Sequence, residues 1–159
     1  MAARVPGASN VDVFWRNLLD GKSGIDHISS FDAEELETTI AGEVIGFDPT
    51  DYVSRKEARR MDRFAQFGAA AALEAAEQAK VHVDGHNAER VSVMVSTGIG
   101  GIITLSEQIG VMDARGPSRV SPFLVPMMLP DMASGQISML LGAKGPNFAT
   151  VSACSSGAD

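Results

Sequence analysis

Apolar residues recur along this chain at two different spacings. In four segments they return every three or four positions, which predicts amphipathic helices. In three shorter segments β-branched and small apolar residues follow one another directly, which favours strands. The predicted helices are Val11–Asp20, a long helix from Ser54 towards Ala79, a helix from about Ile102 to Met112, and Met127–Leu141; the predicted strands are Ile40–Ile45, Val91–Ser96 and Phe148–Ala153. Because strands alternate with helices, we expect an α/β fold with a mainly parallel sheet and helices on its faces.

Individual residues mark several ends of these elements. Gly21 supplies a C-terminal stop for the first helix. Ser54 and Glu57 form a capping-box pattern, so the long helix is expected to begin there. The stretch Arg115–Pro126 contains three prolines and cannot be helical throughout, because proline lacks a backbone N–H. We therefore expect a loop before the last helix.

Composition limits the function classes. The 159 residues are 45% hydrophobic with sixteen glycines, which suits one globular α/β domain. The one cysteine excludes an internal disulfide and fits a reducing compartment, so we expect a cytoplasmic location. No apolar run reaches the length of a membrane span, and the net charge of −7 argues against nucleic acid. Neither a membrane nor a nucleic-acid partner is expected.

The basic residues are concentrated in one short window. Five of the thirteen lie within nine residues, namely Arg55, Lys56, Arg59, Arg60 and Arg63. The window has a net charge of +3, whereas the remainder of the chain has a net charge of −10. A solvated helix face is the common interpretation of such a run. A local basic patch on an acidic protein nevertheless favours an acidic partner.

Cys154 is the candidate nucleophile. It directly follows the predicted strand Phe148–Ala153, which is expected to be buried, and the small residues 155–158 permit a sharp turn into a helix. The positive end of a helix dipole favours the thiolate form, which is the reactive form of cysteine. Its position alone favours a buried structural cysteine instead, because free cysteines are among the most buried residues.

Other sites are weaker candidates. The glycine-rich loop Thr97–Gly101 lies between a strand and a helix, as in dinucleotide-binding proteins. Ile103 occupies the last glycine position of their motif, which argues against dinucleotide binding here. His82 and His86 have helical spacing, yet Asp84-Gly85 interrupts a helix there, so surface histidines and no metal site are expected. The elbow motif of serine hydrolases is absent around Cys154, and a cysteine hydrolase stays possible only in principle.

The residues around Cys154 resemble a known signature. Gly145-Pro-Asn147 followed by Val151-Ser-Ala-Cys-Ser-Ser-Gly157 is similar to the active-site motif of the β-ketoacyl-acyl-carrier-protein synthases, the condensing enzymes of the thiolase fold. Ser152 stands where the family usually has threonine. The similarity runs from about Val11 to Asp159, includes Trp15–Ile25, and is closest to the type II elongating synthases.

The resemblance implies a function and roles for named residues. It implies that Cys154 takes an acyl chain as a thioester, which the carbanion of a decarboxylated malonyl carrier then attacks to give a 3-oxoacyl chain. It also implies that Ile99 and Leu124 line the acyl pocket, and that Lys56, Arg59 and Arg60 receive the acidic acyl carrier protein. No cofactor is implied, and the full-length proteins are expected to be homodimers.

Part of the family's site is expected outside this chain. In the resembled synthases two histidines, a lysine and the second oxyanion donor lie further along than the cysteine. Residues 1–159 are therefore expected to be the N-terminal part of a synthase domain, incomplete at the C-terminus and at the start, with only part of the first half of the layered fold. Such a fragment is expected to be inactive alone. The alternative is a non-catalytic remnant that binds a carrier protein or a full-length synthase.

Overall fold

The computed structural model describes residues 5–158, which form two compact units that divide between Asp48 and Pro49. No helix among the described residues is long and apolar enough to cross a membrane.

The first unit contains one helix and one small sheet. Helix α1 spans Val11–Leu19, as predicted, and begins where the Asn10 side chain accepts a hydrogen bond from the Val13 N–H at 2.9 Å. Gly21 follows the helix with a φ of +65°, a conformation that favours glycine. Strand β1 (Asp26–His27) pairs antiparallel with β2 (Ile40–Ala41). The predicted strand Ile40–Ile45 is therefore present only at its first two residues.

The predicted start of the long helix is wrong. The capping box of Ser54 and Glu57 is present, but it opens the four-residue helix α2, Arg55–Ala58. The long helix α3 spans Arg63–Ala79 and has Asp62 as its own N-cap. A second cap eight residues after the first accounts for the difference, because each cap satisfies the free N–H groups of a separate helix. The basic cluster consequently lies on α2 and the following turn, and only Arg63 belongs to the long helix.

The remaining helices also belong to the second unit. Helix α4 spans Ile102–Arg115, close to its predicted range. Two shorter helices, α5 (Leu124–Met128) and α6 (Met132–Leu141), replace the single predicted helix Met127–Leu141. Pro130 lies between them and cannot donate a helical hydrogen bond, which explains the break. The predicted loop Arg115–Pro126 accordingly contains a 3₁₀ helix at Pro117–Arg119 and the start of α5.

The core of the second unit lies between α3 and α6. Small residues on both helices permit a close approach, and a Cβ added at Gly68 of α3 would lie 3.7 Å from the Cβ of Ala133 in α6. Strand β3 (Val93–Met94) pairs in parallel with β4 (Asn147–Phe148), and Val93 faces this core. The buried core residues are Met61, Ala65, Ala69, Val93, Ala133 and Ile137.

The last predicted strand is shorter and more exposed than expected. Strand β4 ends at Phe148, and beyond it a single parallel bridge joins Thr97 to Val151. Phe148 is 50% exposed and Val151 is 51% exposed, so the expectation of a buried strand is wrong for the described residues. The parallel direction of the pairing is confirmed.

Candidate active site

Cys154 lies on an exposed turn directly after the strand segment. The turn is a five-residue 3₁₀ helix, Ala153–Gly157, in which Ala153 adopts a φ of +52°. Cys154 itself is exposed, so the alternative of a buried structural cysteine is wrong. Within the described residues the turn around Cys154 is this short 3₁₀ helix, and the α-helix expected after the cysteine stays a prediction. The exposed thiol is accessible to a substrate.

Serine hydroxyls hold this turn in place. The Ser156 Oγ lies within hydrogen-bond distance of the Thr97 carbonyl at 2.8 Å and of the Ala153 carbonyl at 2.7 Å, so it links the turn to the loop after β3. The Ser155 Oγ donates to the Ser152 carbonyl at 2.7 Å. The two serines after the cysteine thus add side-chain hydrogen bonds to backbone carbonyls of the turn and of the neighbouring loop.

The loop that contains Ile99 lies against the cysteine turn. A Cβ added at Gly98 would lie 3.6 Å from the carbonyl oxygen of Ala153, which shows how closely the two backbones approach. Ile99 is 65% exposed beside this contact. The structure therefore brings together Cys154 and the loop of Ile99, which are more than fifty positions apart in the sequence.

The other side of the same loop packs against α5. The Gly101 N–H donates to the Met128 carbonyl at 3.0 Å. A Cβ at Gly101 would lie 2.6 Å from the Cα of Met128, which is closer than atoms can pack without a shift. Leu124 is the half-buried first residue of α5, so this helix connects Leu124 with the Ile99 loop.

Asp62 is a residue of the site that the sequence analysis missed. One carboxylate oxygen accepts from the Phe64 N–H at 3.3 Å in α3, and the other accepts from the Thr104 N–H at 2.7 Å in α4. The N-cap of α4 is Gly101, which has no side chain to do this. The 3%-exposed Asp62 therefore caps two helices. An aspartate just before an apolar periodic segment indicates the first cap, but no local pattern indicates the second.

The basic cluster forms an exposed pocket, which we call the basic pocket. It is lined by Arg55, Lys56, Arg59, Arg60 and Phe123. Within residues 5–158 the structure records no ion pair for these four cations. The sequence analysis also missed Phe123, whose ring centroid lies 4.8 Å from the Arg60 guanidinium carbon.

The one carboxylate on α2 is held at the start of that helix. Glu57 accepts from the Ser54 N–H at 2.9 Å. Hydrogen bonds from Ser54, through its side chain and then its backbone, lower the pKa of Glu57, and the charge of Lys56 adds to the effect. Glu57 thus serves the capping box and is not a lining residue of the basic pocket.

The histidines lie at the surface. His27, His82 and His86 are all exposed. Among the described residues, no group of three or more His, Cys, Asp or Glu side chains is placed to hold a metal ion.

Comparisons with known proteins agree with this geometry. The family profile described as "Beta-ketoacyl synthase, N-terminal domain" matches residues 1–159. The chain is 46% identical over 157 residues to 3-oxoacyl-acyl-carrier-protein synthase 2 of Staphylococcus aureus, a match that covers 99% of this chain and 38% of that protein.

Two solved structures are similar in fold. A β-ketoacyl synthase from Burkholderia phymatum matches with a TM-score of 0.81 at 24% identity, covering 99% of this chain and 39% of that one. A type II PKS acyl-carrier protein in complex with its ketosynthase matches with a TM-score of 0.69 at 18% identity, covering 90% of this chain and 37% of that one.

Proposed function

Because the chain belongs to the β-ketoacyl synthase family, we propose that it supplies the nucleophile-bearing part of a 3-oxoacyl-acyl-carrier-protein synthase. The expected thiolase-like layered α/β fold is confirmed by the likeness to solved ketosynthases. The chain spans 38% of the length of the curated relative, so the activity and partners below are proposed for the whole protein. Residues 1–159 are proposed to be the N-terminal part of its synthase domain.

The proposed reaction begins at the Cys154 thiolate. The sulfur attacks the carbonyl carbon of a carrier-bound acyl thioester, and the carrier thiolate leaves and takes up a proton. A malonyl carrier then loses carbon dioxide, and its carbanion attacks the new thioester to form a carbon–carbon bond. This releases the Cys154 thiolate and a 3-oxoacyl chain two carbons longer. The Cys154 backbone N–H is proposed as one donor to the developing oxyanion.

The observation that carries this proposal is the position of Cys154. Its thiol is exposed on a tight turn, and the backbone of the Ile99 loop packs against that turn. An acyl group attached to the sulfur would therefore lie beside Ile99. We propose Ile99 and Leu124 as residues of the acyl pocket, since α5 links Leu124 to the same loop.

The basic pocket is proposed as the docking site for the acyl carrier protein. By resemblance, Lys56, Arg59 and Arg60 match the positions where the synthases receive their carrier. They are exposed together in one pocket without ion-pair partners among the described residues. The complex of a distant ketosynthase with an acyl-carrier protein supports this class of partner. Opposite charges would mainly speed encounter and fix orientation.

A homodimer is proposed for the full-length protein. Large apolar side chains of the second unit are exposed, among them Met94 at 62% and Met139 at 66%. Exposed apolar side chains of this size are typical of surfaces that pack against another protein surface. The alternative function, a non-catalytic chain that binds a carrier protein or a synthase, has no observation that favours it.

Acylation of Cys154 is the direct test. The full-length protein is incubated with an acyl carrier protein bearing a labelled acyl chain, and peptides are analysed by mass spectrometry. We expect one thioester-linked acyl group, on the peptide with Cys154, and none in Cys154→Ala. Retention of the acyl group by Cys154→Ala would contradict the assignment.

A further inference from the structure

We propose that Phe123 is a positioning residue of the basic pocket: its ring holds the Arg60 guanidinium in the orientation that meets the carrier protein. The inference deepens the proposed docking function and rests on it. Its basis is the position of the Arg60 guanidinium carbon over the Phe123 ring, 4.8 Å from the centroid. That distance is well within the range of a cation–π interaction.

Hydrogen bonds hold the backbone that carries the Phe123 ring. The Phe123 N–H donates to the Ser121 Oγ at 3.1 Å, and the Phe123 carbonyl accepts from the Met127 N–H at 3.0 Å in α5. The Ser121 N–H in turn donates to the Gln108 Oε1 of α4 at 2.7 Å. These contacts place the ring on α4 and α5, two elements other than the one that contains Arg60. The ring can therefore act as a surface for a side chain from the turn after α2.

Arg60 needs such a surface because it is otherwise unrestrained. It is exposed, and the structure records no ion pair for it within residues 5–158. A long exposed side chain loses conformational freedom when it binds a partner, which weakens binding. A planar guanidinium stacked on a ring has already lost part of that freedom, and it keeps its N–H groups available for a carboxylate. Stacking thus prepares Arg60 for an acidic partner.

The pocket composition agrees with this role. Four of its five lining residues are cations, and Phe123 is the only apolar one. The other three cations have no aromatic contact in the described part of the chain. Removal of the ring should therefore act on Arg60 in particular and leave the charge of the pocket unchanged.

A double-mutant cycle tests the inference. Binding of a holo acyl carrier protein to the full-length protein is measured for wild type, Phe123→Leu, Arg60→Gln and the double variant. We expect Phe123→Leu to weaken binding about two- to fivefold, the range of an exposed cation–π contact. The double variant should bind no more weakly than Arg60→Gln, because the ring acts through Arg60. Phe123→Tyr, which keeps the ring, should bind as wild type does.

The chain contains a matched control. Arg63 lies over the Phe67 ring at 4.7 Å, yet neither residue lines the basic pocket. Phe67→Leu should therefore leave carrier binding unchanged. The NMR signal of the Arg60 Hε supplies a readout on the wild-type protein itself. It should show an upfield ring-current shift that Phe123→Leu abolishes and Phe67→Leu preserves.

Two results would overturn the inference, and they differ from failure of the docking site. The positioning role alone would be overturned if Phe123→Leu weakened carrier binding by the same factor in the wild type and in Arg60→Gln. The absence of a ring-current shift in the wild type would overturn it as well. Unchanged binding in Lys56→Glu and in Arg60→Gln would mean that the carrier docks elsewhere, and both proposals would then fail.

Discussion

At the scale of single residues, Asp62 shows what sequence can and cannot predict. Cys154 and the basic cluster were predicted from residues close together in the sequence, and Ile99 was predicted through the resemblance to the synthases. Asp62 and Phe123 were missed because their partners, Thr104 and Arg60, are far away in the sequence. No local pattern encodes a contact between distant segments.

Replacement of Asp62 is the prediction at this scale. Asp62→Ala removes the acceptor for two helix N-termini, each worth about 0.5–2 kcal/mol, so we expect a loss of about 1–4 kcal/mol in the free energy of unfolding. Asp62→Asn keeps one acceptor oxygen, so its loss in the free energy of unfolding should be smaller than that of Asp62→Ala but not zero. Denaturant unfolding of the full-length protein measures the change. Asn10→Ala, which removes the single cap of α1, is the control, and an equal loss in Asn10→Ala and Asp62→Ala would contradict the double cap.

At the scale of elements, the helices were predicted better than the strands. Helix α4 and helix α1 lie close to their predicted ranges because their apolar periodicity extends over several turns. The strands are shorter than predicted, since a strand needs a hydrogen-bonded partner and the pattern records only the preference of the segment. The break between α5 and α6 at Pro130 could have been predicted from the proline itself.

The contact between the Ile99 loop and α5 yields the prediction at this scale. A methyl group at Gly101 would meet the backbone of Met128, so Gly101→Ala should lower the free energy of unfolding by about 1–3 kcal/mol. Gly110→Ala, inside the helix α4 that Gly101 precedes, is the control. No atom lies within 4 Å of a Cβ there, so this change should instead stabilise by about 0.5–1 kcal/mol. Equal effects of the two changes on thermal unfolding would contradict the close packing of the loop.

At the scale of the whole molecule, the exposed face of the β3–β4 sheet is its most informative feature. Parallel sheets in proteins are normally covered on both faces. Here Val93 is buried on one face, whereas Met94 and Phe148 remain at least half exposed on the other. The sequence predicted the fold class through its resemblance to the synthases. It could not predict this exposed face, because a local pattern does not record which elements pack against a strand.

Condensation is the measurement that tests the central claim most directly. The full-length protein is given an acyl carrier and a malonyl carrier, and both carbon dioxide and the carrier-bound product are quantified. We predict a 3-oxoacyl chain two carbons longer, formed with one carbon dioxide per product and lost in Cys154→Ala. Acyl transfer to Cys154 with no extended product would contradict the proposed synthase and favour a chain that only binds its carrier.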